Sequence, residues 1–343
     1  ETYMRPPDGF PPPDGSSKVW KLKKSLYGLV QAPRCWNQKL HEVLTKYGLK
    51  RHQSDHGLYS NKSSTMFVGV YVDDLLITGS NNKVVTKLKN YLSSNFQMKD
   101  LGAVSKFLGM SVTKNKGSYS LDMESYINQM DLELDIPIKE KILTPLAPKD
   151  LELLKQDSPL TDATVYRQGI GKLSFLAHAV RVDIALAVNF LASFNQAPCV
   201  VHQHLLHKLL KYVVDTKFYK ITYTKPSGPL VPTVYTDASW GSGYPESEKT
   251  YEGLLVLMCG GPICWRSTKQ KSISLSTAEA EYMALSEGTK SAKWLTEVFQ
   301  DFMPKSPPLT VDIFVDNQAA IQIANDPQFY PPHQAHQAEV SLH

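Results

Sequence analysis

Two sets of acids stand where carboxylates are costly unless something binds them. Asp73 and Asp74 interrupt an apolar, β-branched run, with Thr65-Met-Phe-Val-Gly-Val-Tyr-Val72 on one side and Leu75-Leu-Ile-Thr-Gly79 on the other. Burying an ionised carboxylate costs on the order of several kcal/mol without a cation or hydrogen bonds. Two strand-like segments that meet at adjacent acids therefore predict a β-hairpin whose tip offers oxygen ligands to Mg²⁺. The second set is Asp237 in Val234-Tyr-Thr-Asp-Ala-Ser239, Glu281 in a long helical pattern, and Asp316 at the end of Val311-Asp-Ile-Phe-Val-Asp316. A strand acid, a helix acid and a strand-end acid converging over one sheet could hold two Mg²⁺ ions, which activate water and stabilise the leaving oxygen in phosphodiester hydrolysis.

Two glutamates compete for the helical role, and local physics separates them. Ser276-Thr-Ala-Glu279 matches a capping box, which gives Glu279 a structural task at the helix start. Glu281 shares the apolar stripe of Leu285, Ala292, Leu295 and Phe299, where a lone carboxylate is expensive without a metal or a partner. Taken singly, Asp237 reads equally as a turn acid and Asp316 as a cap for the helix after it. The joint pattern carries the chemistry.

These acids need elements to hold them. Residues 1–17, with Pro6, Pro7, Pro11, Pro12 and Pro13, read as an extended lead-in without a regular element. Pro33, then Trp36, Leu40, Val43, Leu44 and Tyr47 up to Gly48, predict a helix with a proline near its start and a glycine stop. After the hairpin, Val84, Leu88, Tyr91 and Leu92 mark another amphipathic helix. Leu101 to Val112 and Ser118 to Leu121 read as strands, Ser125 to Leu134 as a helix, and a Pro-containing stretch through Pro148 as a boundary. Three helical patterns follow between Tyr166 and Val214. His204 and His207 on the third have metal-ligand spacing but no acid or cysteine cluster beside them, so a surface role is the better reading. Lys225-Pro-Ser-Gly-Pro-Leu-Val-Pro232 reads as a linker. Beyond it come strands at Thr233 to Ser239, Tyr251 to Met258 and Pro262 to Leu275 with a turn around Lys269, a helix from Thr277 to Phe299, a strand from Thr310 to Val315 and a helix from Asn317 to Asn325.

Bulk properties bound the function. A chain of 343 residues with 42% apolar content is long enough for two or three globular domains. The net charge of +4 is a weak nucleic-acid signal, although Lys18, Lys21, Lys23 and Lys24 cluster. Cys35, Cys199, Cys259 and Cys264 lack paired spacing and read as reduced thiols, neither a disulfide framework nor a zinc site. No apolar run is long enough for a membrane span, and the start, Glu1-Thr-Tyr-Met, reads as a piece of something longer.

With those residues in place the chain resembles the reverse transcriptase and ribonuclease H region of copia-type LTR retrotransposon polyproteins. The segments that carry the resemblance are Lys24-Ser-Leu-Tyr-Gly-Leu-Val-Gln-Ala-Pro-Arg34 with Trp36, Tyr71-Val-Asp-Asp-Leu-Leu76, Leu101-Gly102 with Phe107-Leu-Gly109, and Tyr166 with Gly169 and Gly171-Lys-Leu173. Tyr235-Thr-Asp-Ala-Ser-Trp-Gly241, Ser274 to Ala284 and Val315-Asp-Asn-Gln-Ala319 complete it. The implied fold is a multidomain α+β and α/β chain: a partial polymerase palm with an antiparallel sheet over 1–150, a helical thumb or connection segment over 151–225, and a ribonuclease H-like mixed five-stranded sheet with helices over 226–343.

The resemblance makes Asp73 and Asp74 the palm carboxylates and Asp237, Glu281 and Asp316 the ribonuclease H acids, each site with two Mg²⁺ or Mn²⁺ ions. Tyr27, Gly28, Gln31, Pro33, Arg34 and Tyr71 would line the template and nucleotide side. Implied partners are an RNA template, a DNA primer, RNA/DNA hybrid, dNTPs and the integrase, protease and capsid parts of the polyprotein, without a membrane. The implied location is a cytoplasmic virus-like particle, with a nuclear phase left open. Hybrid recognition would run through backbone and shape.

The departures are specific. The family palm has a further strand acid upstream of Tyr3-Met-Arg5, so the polymerase half is expected to be incomplete in this chain. Val30 stands where a basic residue is expected, and Val182 follows Arg181 in place of a proline. His336 and Glu339 are the candidates for a further histidine and a fourth acid near the C-terminus. Two other readings stay open: a ribonuclease H active without polymerase activity, and a non-catalytic retroelement remnant that binds hybrid.

Overall fold

The computed structural model describes residues 1–10, 12, 18–134, 136–147, 150, 153, 158–239, 250–325 and 340–342. Trp240, Gly241, Pro148, His336 and Glu339 lie outside them. The chain divides into two compact units, residues 1–101 with 301–303, and residues 102–300 with 304–343. The boundaries read at 150/151 and 225/226 both fall inside the second unit.

In the first unit β1 (Tyr3–Met4) pairs antiparallel with β2 (Trp20–Lys21), so the lead-in does hold a regular element, contrary to its proline content. The prolines flank the pairing residues, which leaves Tyr3 and Met4 free to bond. Helix α1 (Ala32–Lys46) carries Pro33 in its first turn and buries Leu40, Val43 and Leu44. The chain then turns at Gly48, whose φ of 102° suits a residue without Cβ. Strands β3 (Leu49–Arg51) and β4 (Leu58–Asn61), which the pattern missed, precede β5 (Met66–Tyr71) and β6 (Asp74–Gly79) in an antiparallel sheet of order β3-β4-β5-β6. Helix α2 (Asn82–Asn95) is capped by Asn81 Oδ1, which accepts from Val84 N. The core of this unit joins Leu40 and Leu44 of α1, Val68 of β5 and Leu88 and Leu92 of α2.

The second unit begins with β7 (Lys106–Phe107), β8 (Met110–Asn115) and β9 (Ser118–Asp122). The stretch expected as one strand to Val112 turns back at Leu108-Gly109, where φ is 50° and 84°. Helices α3 (Glu124–Glu133), α4 (Ala163–Ala179), α5 (Ala185–Ala192) and α6 (Val200–Asp215) follow, with a short 3₁₀ turn at Val182–Ile184. Their apolar faces meet in one cluster that includes Tyr166, Leu173, Leu191, Leu205 and Leu209. Gly169 lets α4 and α6 approach, since a Cβ there would meet Leu206 Cδ2 at 2.9 Å. Next comes β10 (Ile221–Thr224), also missed, because its short alternating run was read with the helical segment. It pairs with β9, completing a sheet of order β10-β9-β8-β7.

The last sheet comprises β11 (Thr233–Ser239), β12 (Tyr251–Met258), β13 (Gly261–Lys269), then β14 (Val311–Phe314) after helix α7 (Thr277–Phe302), and β15 (Val340–Leu342) after helix α8 (Gln318–Asn325). Its order is β13-β12-β11-β14-β15, antiparallel from β11 to β13 and parallel from β11 through β14 to β15. Strand β11 alternates strictly, with Val234, Thr236 and Ala238 buried and Tyr235, Asp237 and Ser239 exposed. Strand β13 stops at Lys269, where the sequence pattern places a turn, and the residues from there to Leu275 lead into α7 without continuing the strand. Among the described residues no helix is long and apolar enough to cross a membrane.

Candidate active site

In the first unit Tyr71 pairs with Asp74, so Val72 and Asp73 form a two-residue hairpin turn. Val72 has φ 54°, uncommon for a β-branched residue and a local strain that its neighbours must hold. Trp36 of α1 does so: its Nε1–H donates to Val72 O at 2.7 Å. Tyr27 OH donates to Asp73 Oδ2 at 3.2 Å. Tyr71, Val72, Asp73 and Asp74 are all exposed. The desolvation argument made for Asp73 and Asp74 therefore fails, because they sit at a solvated tip and not within the apolar run. Of the residues expected near them, Tyr27 reaches Asp73, Gly28 turns the chain with φ 91°, and Gln31 donates instead to Thr2 Oγ1. Pro33 and Arg34 sit exposed in the first turn of α1.

The second unit brings its three acids together. One carboxylate oxygen from each of Asp237, Glu281 and Asp316 lies within 4.8 Å of the others, the group among the described residues arranged to hold a metal ion. Asp237 projects from β11, Asp316 follows β14, and Glu281 stands in the first turns of α7. Strand pairing aligns the two aspartates, since Tyr235 lies beside Phe314 and each acid is two residues further on. The cap of α8 is Asn317, whose Oδ1 accepts from Ala320 N, so Asp316 is spared that task.

Glu281 is buried, 6% exposed. Its Oε1 accepts from Ala238 N at 3.2 Å, while its Oε2 is buried without a hydrogen-bond partner. Burial pushes its carboxyl up to about 7, with Asp237 and Asp316 adding to the rise and the Ala238 N–H opposing it. A buried acceptor costs about 1–3 kcal/mol when unmet, so this oxygen marks a place for a cation or proton. Glu279 works as read from the sequence: its Oε2 accepts from Leu275 N at 2.6 Å and its N–H donates to Ser276 Oγ. The box reaches one residue further back than the usual form.

Several positioning residues escaped the sequence. Ala238, Ala280 and Ala284 form a cluster of small side chains where α7 meets β11. That thinness lets the Glu281 side chain reach the strand backbone. One helical stretch further on, a Cβ at Gly288 would lie 2.4 Å from Thr236 Cγ2, so only glycine permits this approach. A glycine inside an apolar helical stripe was the available signal. Gln270 Nε2 donates to Ala280 O, and Gln270 N donates to Thr250 O, tying the turn before α7 to its first helical residues. No pattern announces that residue. Opposite α7 an open cleft adjoins Asp237 and Asp316, lined by Tyr235, Phe314, Leu255 and Trp265.

His204 and His207, considered as ligands, do not join the acids: His207 hydrogen-bonds Gln203 on its own helix. Cys35, Cys199, Cys259 and Cys264 are all unpaired thiols.

Comparison with known proteins gives the family of the chain. Residues 1–148 match the reverse transcriptase (RNA-dependent DNA polymerase) family. The transposon Ty5-1 protein YCL074W of Saccharomyces cerevisiae is 35% identical over 290 residues, which cover 83% of this chain and 93% of that protein. The retrovirus-related Pol polyproteins from transposon RE1 of Arabidopsis thaliana and from transposon TNT 1-94 of Nicotiana tabacum are each 32% identical over 96% of this chain. The chain spans 22% and 25% of those two polyproteins. It belongs to the copia-type retrotransposon polyproteins and carries part of their reverse transcriptase region.

Proposed function

We propose that the second unit is a ribonuclease H that cuts the RNA strand of an RNA/DNA hybrid. The observation that carries this reading is the buried, unpartnered Glu281 Oε2 beside Asp237 and Asp316. Three carboxylates in mutual reach repel one another, and oxygen-only ligands suit a hard divalent cation. Asp237, Glu281 and Asp316 would hold Mg²⁺ or Mn²⁺, with two ions as the expected complement. Metal bound there would activate water and stabilise the departing 3′-oxygen. The residues themselves do the placing: Ala238 N–H aims Glu281, the small-residue contact sets its reach, and the paired strands hold the aspartates side by side. A mixed five-stranded sheet with its acid-bearing strand at the centre supports a ribonuclease H-like domain.

For the first unit the reading is a palm fragment. Asp73 and Asp74 would bind Mg²⁺ for attack of a primer 3′-hydroxyl on a dNTP, with Tyr27, Gly28, Gln31, Pro33, Arg34 and Tyr71 along the template and nucleotide side. The helices from α4 to α6 would form the thumb or connection. RNA template, DNA primer, and the integrase, protease and capsid parts of a polyprotein are the corresponding partners, inside a cytoplasmic particle.

The test is Mg²⁺-dependent cleavage of an end-labelled RNA strand annealed to DNA, comparing the chain with Asp237→Asn. Cleavage that disappears in the variant supports the assignment. Cleavage that persists in it refutes the three-acid site, and no cleavage in either refutes hydrolysis by this chain.

A further inference from the structure

The sheet of the first unit ends on β6, and among the described residues no segment pairs with the outer side of that strand. Neighbouring bonds fix which backbone groups face outward. Val70 N donates to Gly57 O on the β4 side, and Ser80 N donates to Thr65 O on the β5 side. Successive residues of an antiparallel ladder bond to opposite sides, so Asp74, Leu76 and Thr78 bond to β5, while Leu75 and Ile77 turn their N–H and C=O groups outward. Asp74, Leu76 and Thr78 share one face and are all exposed. Leu76 is 39% exposed, and it stands opposite Gly69, so no cross-strand side chain covers it.

Other sheet edges are short or guarded. Strand β3 has three residues, including Lys50 and Arg51, and β7 has two, including Lys106. Strands β10 and β15 have four and three residues. Strand β13 carries Arg266 and Lys269, and its Ser267 O accepts from Asn189 Nδ2. The six residues of β6 contain no lysine, arginine or proline, and its pairing with β5 runs without a bulge. An open edge of this length and composition is a template for another strand.

We infer that β6 is a dimer interface, with two copies of this chain pairing their β6 edges antiparallel about a two-fold axis at Leu76. Leu75 then lies opposite Ile77 of the partner subunit, and each such pair exchanges two N–H···O bonds between outward groups. Leu76 meets its own copy in the closer, non-hydrogen-bonded position, where its apolar side chain gains the cross-strand neighbour that Gly69 does not supply. Asp74 falls opposite Thr78 of the partner subunit, so carboxylate never faces carboxylate and a hydroxyl is within reach of each acid. An unrelated extended peptide would meet the same backbone groups, whereas the order Asp74, Leu76, Thr78 is matched at all three positions by its own reverse. The contact is isologous, and the two-fold closes it at two copies.

The test is sedimentation velocity of the full chain over a range of concentrations without nucleic acid. The parent chain is expected to pass from monomer to dimer as concentration rises. Leu76→Lys sets two ammonium groups against each other at an exposed position and should weaken the dimer at least tenfold. Thr78→Lys puts a cation opposite Asp74 of the partner subunit at both ends, and should tighten the dimer about two- to tenfold at low salt, with the gain lost at high salt. Leu132→Lys, a like change at an exposed leucine far along the chain, should leave the dimer unaltered. A parent chain that stays monomeric at every concentration would overturn the interface, as would a dimer that Leu76→Lys leaves intact. A dimer weakened by both Leu76→Lys and Thr78→Lys would overturn the pairing about Leu76. Thermal melts of each variant separate lost pairing from lost folding.

Discussion

Asp73 in an exposed two-residue turn and Asp74 at the start of β6 stand at a solvated hairpin tip, while Asp237, Glu281 and Asp316 meet around a carboxylate that is 6% exposed. Both sets of acids are carried into the proposed metal sites, yet they are held by different physics. The hairpin pair is aimed by backbone geometry, with Val72 at positive φ and Trp36 anchoring its carbonyl. The triad is aimed by close packing, with small side chains between helix and strand and one carboxyl driven toward its neutral form by burial. Solvation is thus the variable that distinguishes them. An exposed acid gains little until further ligands arrive, whereas a buried one is already destabilised and recovers that cost on binding a cation.

The sharpest break between the regions is catalytic. Asp237→Asn or Asp316→Asn should lower hybrid cleavage on the order of 10³-fold or more, several kcal/mol of lost stabilisation, in single-turnover assays. Asp73→Asn with Asp74→Asn should leave the same rate within about twofold, since neither residue belongs to the triad.

Next is the response to pH. The Glu281 carboxyl lies at about 7 in the folded chain against an ordinary 4.5, so its folded form holds the proton more tightly. That contribution is fully present below 4.5, declines as pH rises, and is gone above about 7. Glu281→Gln should therefore stabilise the metal-free protein at pH 8 by up to about 3 kcal/mol relative to its effect at pH 4.5, measured by urea unfolding. Mg²⁺ should raise the Tm of the parent chain at pH 8 and have a smaller effect on this variant.

Packing gives the third contrast. Gly288→Ala should cost about 1–3 kcal/mol by forcing α7 away from Thr236, and cleavage should fall with it as Glu281 is displaced. Removing the cap with Glu279→Ala should cost about 1 kcal/mol. At the hairpin, Tyr27→Phe removes one exposed hydrogen bond to Asp73 and should shift stability by less than about 0.5 kcal/mol. A larger loss there would show that the turn is held more tightly than its exposure implies.

The hairpin was legible in the sequence because apolar runs of strand length met at two acids, and Met66–Tyr71 and Asp74–Gly79 fall where that pattern put them. Glu281 was legible because a charge on an apolar stripe is a local contradiction, and Glu279 because its cap obeys a short-range rule. What the pattern missed was short or nonlocal. Tyr3–Met4, Leu49–Arg51 and Ile221–Thr224 are strands defined by distant partners more than by their own periodicity. Strand Ile221–Thr224 also ties the preceding helices to Ser118–Asp122, which is why a boundary drawn from prolines near 150 cuts through a compact unit. Gln270 acts through one side-chain amide on a helix carbonyl, a contact with no sequence period at all.

The parallel pairing of β11 with β14 sets when the triad can exist. Its three acids are synthesised in the order Asp237, Glu281, Asp316, and the last arrives only after the whole of α7 has been made. Until β14 docks beside β11, the growing chain can hold the antiparallel strands β11 to β13, but Asp316 has no place next to Asp237. A parallel pair demands this long crossover and closes slowly compared with a hairpin. The hairpin that carries Asp73 and Asp74, by contrast, is complete as soon as its two strands meet. During synthesis the nascent chain therefore displays its hairpin carboxylates early and remains without an assembled triad until nearly all of the second unit has left the ribosome.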